Sequence, residues 1–245
     1  MRDRRIFVTH GEICDGKILF SEANSHYLKR VLHVRSGDCV IALDGARLYD
    51  VVLELDCRNA LIGNIRSSTQ DAFTFPVKVD LAFGCIRPGP TEEIIRHCTE
   101  LGVDSFFPLL FERSNRRPDS ARTRWLKIAS SACAQSGRPT MPALNEPMDL
   151  EQFLGGVSKD SCLIYFTLDE EIPPLGVVLD SRNPKRATFV VGSEGGLTFQ
   201  EEARLAAAGF VPTSLGPTTL RTETAAIVAV GIIMAWRLAH TQDSV

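Results

Sequence analysis

The chain has 245 residues, 44% of them hydrophobic, and a formal net charge of −3. That composition excludes intrinsic disorder and leaves room for one large domain or two smaller ones. The seven cysteines (14, 39, 57, 85, 98, 133 and 162) never form a C-x-x-C pair, so neither a zinc site nor a disulfide framework is expected, and a reducing cytosol fits. The start, Met1-Arg2-Asp3-Arg4-Arg5-Ile6, has charges without an apolar stretch, so no signal peptide is expected. The longest apolar run, Ala225–Trp236, is shorter than the roughly 20 residues a membrane span needs.

In chain order, the first seventy residues read as short strands at Arg4–Thr9, Lys17–Phe20, Cys39–Leu43, Leu48–Leu55 and Ala60–Ile65. Turns at Asp15-Gly16, Ser36-Gly37-Asp38 and Asp44-Gly45 separate them. One helix interrupts the series, opened by Ser21 and carrying His26, Leu28, Val31 and Leu32 at helical spacing. Five short strands with one helix predict a small β-barrel, because closure covers exposed edges. Ser67-Ser68-Thr69-Gln70-Asp71 is polar and aperiodic and is expected to be a linker, dividing the chain into 1–70 and 71–245.

Beyond Pro76 the pattern becomes strand–helix alternation. Strands are predicted at Val77–Gly84, Ser105–Phe111, Ser161–Thr167, Ala187–Val191 and Val211–Leu215. Helices are predicted at Glu92–Leu101, Asp119–Gln135, Thr198–Ala208 and Thr222 to about His240. Thr198-Phe199-Gln200-Glu201 is a capping box with Gly209 as the helix stop. This is an α/β unit with a mostly parallel sheet. Its charge is uneven: Arg113–Arg138 holds seven Lys/Arg against Asp119, and Met141–Ser181 holds eight Asp/Glu against Lys159. An arginine-rich belt suits phosphate, which guanidinium binds as a bidentate fork.

Two apolar strands each end in a glycine loop: Val190-Val191-Gly192-Ser193-Glu194-Gly195-Gly196, then Ser214-Leu215-Gly216-Pro217. Leu220-Arg221-Thr222-Glu223-Thr224-Ala225 follows and opens the last helix. Glycine loops at carboxyl strand ends converge on a ligand crevice. Neither G-x-G-x-x-G nor a P-loop is present. Leucines beside glycines offer the flat apolar slot and backbone hydrogen bonds that adenine needs.

G-x-E-G-G-L-T followed by L-G-x-x-x-L-R-T-E-T-A resembles the carboxyl-terminal signature of the RsmE family of SPOUT-class methyltransferases. Arg4–Val8, His26–Leu32 and Arg35–Asp38 resemble that family's amino-terminal blocks. Thr99–Val103, Pro108, Glu112–Ser114, Arg124-Trp125 and Gln135–Arg138 match further blocks in order. The resemblance implies a PUA-like RNA-binding β-barrel (1–70) before a SPOUT α/β trefoil-knot domain (71–245). It also implies a cytoplasmic homodimer without membrane or metal. The implied reaction is transfer of a methyl group from S-adenosyl-L-methionine to N3 of one uridine in 16S rRNA of the small ribosomal subunit. A SPOUT enzyme with a different target nucleotide and a non-catalytic assembly factor remain alternatives.

Such a reaction requires loss of the N3 proton and stabilisation of charge on O2 and O4. Arg221 is the candidate cation, and Glu223 and Glu194 are candidate bases. An ion pair for Arg221, a helix-start role for Glu223 and a loop-organising role for Glu194 are the structural readings. The implied cofactor residues are Leu168, Gly192, Glu194, Gly195, Gly196, Leu215, Gly216, Leu220 and Arg221. The implied RNA residues are Arg4, Arg5, Arg30, Arg113, Gln135 and Arg138. The chain departs from the family pattern at Ser193, Pro90, His97 and Ala134, where proline, two lysines and an acid are usual.

Overall fold

The computed structural model describes residues 4–45, 47–56, 60–70, 77–114, 122–167 and 171–240. The chain divides into two compact units: Met1–Thr74 with Ser130–Met141, and Phe75–Ala129 with Pro142–Val245.

The first unit is built on a mixed six-stranded sheet. Its strands are β1 (Arg5–Phe7), β2 (Ile13–Cys14), β3 (Lys17–Leu19), β4 (Cys39–Leu43), β5 (Arg47–Leu55) and β6 (Leu61–Gln70), in the order β1-β4-β5-β6-β3-β2. β1 runs parallel to β4 and the other pairs are antiparallel. A register shift at Asp50/Val51 marks a bulge, which bends the β5–β6 ribbon. The expected linker is corrected here: Ser67–Gln70 belongs to β6 and pairs with Arg47–Asp50. Ladder hydrogen bonds need no apolar side chains, so an exposed polar strand end lacks the alternation that would reveal it. Ser21 caps α1 (Glu22–His26), which continues as a π-helical turn at Tyr27–Val31. Ile6, Ile18, Leu28, Val40, Val51 and Leu53 form part of the buried core.

Glu12 organises this unit's loops. Its carboxylate accepts from the Thr9 and Ser21 backbone N–H groups at 2.7 Å each, and from Asn24 Nδ2 at 2.9 Å. Burial pushes this carboxyl up, but the hydrogen bonds outweigh burial and hold it below its ordinary 4.5.

The second unit is a fully parallel sheet in the order β12-β10-β11-β7-β8-β9. Its strands are β7 (Lys78–Gly84), β8 (Ser105–Leu109), β9 (Ala143–Leu144), β10 (Cys162–Phe166), β11 (Arg186–Val191) and β12 (Val211–Thr213). Its helices are α2 (Pro88–Glu100), α4 (Leu150–Gly156), α5 (Leu175–Arg182), α6 (Phe199–Ala207) and α7 (Thr222–His240); α3 (Arg122–Ser136) begins in this unit and from Ser130 onward belongs to the first. α2 starts earlier than expected because Pro88 suits the first helical position, where its missing N–H costs nothing. α4, which the sequence expectations lack, opens with a complete capping box between Asp149 and Gln152. α5 has a proline at its N-cap and no side-chain cap there, so only Asn183, in the left-handed conformation at its end, marks it. The predicted capping box of α6 is present in both directions between Thr198 and Glu201.

By length and composition alone α7, with 19 residues, could cross a membrane, although the continuous apolar run within it is the shorter Ala225–Trp236. Ala226, Ala229, Val230 and Ile233 of α7 are buried, and the helix packs on β7 and β11 beside α2 and α5. On the other face, Phe107, Phe153 and Phe210 pack in series with their rings tilted, centroids 5.3 Å and 6.2 Å apart, among Leu109, Tyr165 and Val190.

Candidate active site

A cavity of ≈ 290 Å³ lies at the carboxyl ends of β10 and β11. Three chain segments line it: Phe166-Thr167, Val191–Leu197, and Leu215 to Ala225 at intervals. The glycine loops predicted from sequence therefore share one crevice. Gly192, Glu194, Gly195, Gly196, Leu215, Gly216 and Leu220 all line it. Arg221 and Glu223 are not among the lining residues, although Leu220 and Thr222 beside them are. Leu168 lies outside the described residues.

The first loop is a tight turn in which the Gly196 N–H donates to Ser193 O at 2.8 Å and Gly196 holds φ +71°. A side chain on Gly192 would meet the backbone of Gly196 and Leu197 at 3.1 Å. Beneath the loop lies Gly84, the last residue of β7. A Cβ there would sit 2.5 Å from the Ser193 nitrogen. Only a bare backbone allows β7 and the loop this approach, and the reading from sequence did not single out Gly84. The second loop turns at Gly216, φ +128°, and Ser214 Oγ accepts from the Gly216 N–H at 3.2 Å.

Arg113 clamps the first loop. Its Nη1 donates to Gly195 O at 2.9 Å and to Leu197 O at 3.4 Å, and its own carbonyl accepts from Ser193 Oγ at 3.1 Å. Ser193 is buried, so the hydroxyl at this departure from the family pattern closes the clamp. Glu201 ties the same segments together, accepting from Glu112 N–H at 2.8 Å and Thr198 N–H at 2.7 Å. Glu194 pairs with Arg87, whose Nε donates to it at 3.2 Å.

Residues 74–234 match the model of the RNA methyltransferase domain. The chain is 33% identical to a Synechocystis ribosomal RNA small subunit methyltransferase E over 94% of this chain and 77% of that protein. It is 30% identical to the Bacillus subtilis protein of the same name over 85% and 86%. This chain belongs to the ribosomal RNA small subunit methyltransferase E family. A Neisseria gonorrhoeae family member, solved bound to S-adenosyl methionine, superposes with a TM-score of 0.86 at 26% identity, covering 96% of this chain and 98% of that one. A putative methyltransferase from Legionella pneumophila, solved with SAM, gives 0.84 at 27% identity over 96% and 98%.

Within this member of the family, the predicted RNA residues separate. Gln135 and Arg30 are exposed, and Arg4 and Arg5 are half-buried. Arg4 is ion-paired with Asp38, whose carboxyl lies below its ordinary value through hydrogen bonds from the Arg35 backbone and from Arg4. Arg5 lies against Gly137, where a Cβ would strike its guanidinium. Arg138 is 2% exposed and its Nε donates to Thr140 Oγ1 at 3.5 Å. Arg113 is likewise engaged by loop carbonyls. Arg116 and Arg117 of the basic belt lie outside the described residues. Of the remaining departures from the family pattern, His97 pairs with Glu100 at 3.3 Å, and Ala134 is buried where an acid would need a partner. Among the described residues no three His, Cys, Asp or Glu side chains come together as a metal site. The buried thiols of Cys85 and Cys133 are pushed up to about 11 by burial, which leaves them inert at neutral pH.

Proposed function

We propose that this protein transfers a methyl group from S-adenosyl-L-methionine to N3 of one uridine in 16S rRNA of the small ribosomal subunit. The observation that carries the proposal is the glycine-lined cavity at the carboxyl ends of β10 and β11, in a family with members solved with that cofactor.

The residues fit the group. The ≈ 290 Å³ cavity is close to the lower end of the range for small-molecule sites, about 300–1,000 Å³. Gly192 and Gly196 line a cradle that side chains would fill or strain. Phe166, Leu197, Leu215 and Leu220 offer apolar walls for a purine, and loop N–H and C=O groups offer hydrogen bonds to its edge. The cofactor supplies a methyl group already activated on a sulfonium. What remains for the chain is orientation and proton removal.

Arg221, one residue before α7, stabilises negative charge developing on the uracil oxygens. Glu223 in the first turn of α7, or Glu194 in the glycine loop, accepts the N3 proton. The pairing of Glu194 with Arg87 favours a loop-organising role for it and leaves Glu223 as the preferred base. The last-quarter loops form the trefoil knot of the SPOUT fold, the first unit acts as a PUA-like RNA-binding domain, and the protein works as a cytoplasmic homodimer. Arg4, Arg5, Arg30 and Gln135 belong to the RNA-facing set.

Mass mapping of 16S rRNA from a strain lacking the protein tests the target. N3-methyluridine disappears if the proposal holds, and its persistence refutes it. Calorimetric titration with S-adenosylmethionine tests the cofactor independently.

A further inference from the structure

The opposite end of the parallel sheet carries a second feature. A cavity of ≈ 540 Å³ opens at the amino ends of β7 and β11, lined by Lys78, Lys185, Arg186, Arg237, Ser158 and Asp160 among others. Four cations share it with one acid.

Their placement is costly without a counter-charge. Lys78 and Arg186 are direct partners across the β7–β11 pair, and like charges directly opposite destabilise a sheet. Lys185 adjoins them, and its carbonyl accepts from the Lys78 N–H at 3.0 Å. Arg186 reaches Asp80 at 3.7 Å, and Arg237 Nη1 donates to Asn183 Oδ1 at 2.7 Å. Burial pushes the Asp80 carboxyl up, while a hydrogen bond from Ser105 and the charges of Arg186 and Lys78 pull it down. Among the described residues Lys78 and Lys185 make no ion pair, and both are exposed.

We propose that this basic cavity is a phosphate site for the backbone of the RNA substrate, separate from the methyl-transfer cavity. The inference rests on the function proposed above. The lining contains no aromatic residue to stack a base, so the chemistry recognised is the phosphodiester alone. β11 runs from Arg186 to Val191, which puts the site roughly 17 Å from the glycine loop at about 3.3 Å per residue. A folded RNA is long enough to touch both ends.

The test compares wild-type protein with Lys78→Gln/Lys185→Gln and with Lys185→Glu. Affinity for small-subunit rRNA is measured over a range of salt concentration, with S-adenosylmethionine binding as the control for fold. The expected result is unchanged cofactor affinity and a salt slope lowered by about 1–2 in the double variant. An unchanged slope overturns the site while leaving the methyltransferase reading intact. Failure of the wild-type protein to bind RNA at all counts against that reading instead. If the variants lose binding of inorganic phosphate but keep the RNA slope, the cavity serves a free phosphate and the proposal is overturned.

Discussion

Replacing Gly84 with alanine tests whether the cavity depends on close approach of β7 and the glycine loop. The added Cβ would lie 2.5 Å from the Ser193 nitrogen, 2.7 Å from its Cα and 2.8 Å from its Cβ. The nearest contact is roughly 1 Å inside ordinary van der Waals separation. The obstacle is backbone, so no side-chain rotation relieves it. β7 is held between β11 and β8 and moves less readily than the loop. Ser193 must therefore shift, stretching its bond to the Arg113 carbonyl and displacing Gly192 and Glu194. Overpacking of this kind costs about 1–3 kcal/mol. If that cost falls on the cofactor-competent loop, affinity for S-adenosylmethionine drops about 5- to 150-fold. Calorimetry measures the affinity, and circular dichroism with heating shows whether the fold survives. A variant that keeps both wild-type affinity and wild-type melting temperature would refute the reasoning.

Arg113→Ala removes the donor to Gly195 O and Leu197 O. Loss of this exposed clamp is expected to weaken S-adenosylmethionine binding by about 1 kcal/mol, or roughly fivefold; an effect on RNA binding alone would restore a direct RNA role. Arg221→Ala is expected to lower turnover more than cofactor affinity, measured by single-turnover methylation against calorimetry, and equal loss in both would reassign Arg221 to cofactor binding. Thr198→Ala removes the cap of α6 at about 1 kcal/mol, which should lower the melting temperature by about 2–4 °C; no change would mean that Glu201 alone holds the turn. Glu12→Gln addresses acid stability. Glu12 has a depressed folded pKa, so its contribution is present above its unfolded value and is lost as pH falls through the folded one. The variant should be less stable than wild type by about 1–3 kcal/mol near neutral pH, and the gap should narrow as pH falls through the depressed folded pKa. Urea titration followed at the Thr9 and Ser21 amide signals reads this, and a gap that persists in acid would remove the charge from the explanation.

Much of the fold was legible because its signals are local. The α6 capping box spans four consecutive residues, and strand-end glycines stand out wherever they occur. Polar or irregular segments were harder. Ser67–Gln70 gains its strand character from pairing with β5, and α5 packs beside α7 without a side-chain cap at its start. The cavity shows the same division. Gly192–Gly196 and Leu215-Gly216 announced a ligand crevice, but nothing near Gly84 marked it as the floor beneath Ser193. Arginine enrichment over Arg113–Arg138 suggested phosphate contact in general. It did not reveal that Arg113 clamps carbonyls or that Arg138 is buried.

By itself, the sequence determined the strand–helix alternation, the helix caps, the glycine turns and membership of a methyltransferase family, because each follows from neighbouring residues or a run of motifs in order. Tertiary structure alone decided which loops meet in one cavity, which arginines face inward, and that four cations gather at the amino end of β7 and β11. Those outcomes depend on strand order and register. Residues distant in the chain become neighbours only when the sheet has formed, and no local pattern encodes the charge or clash they then meet.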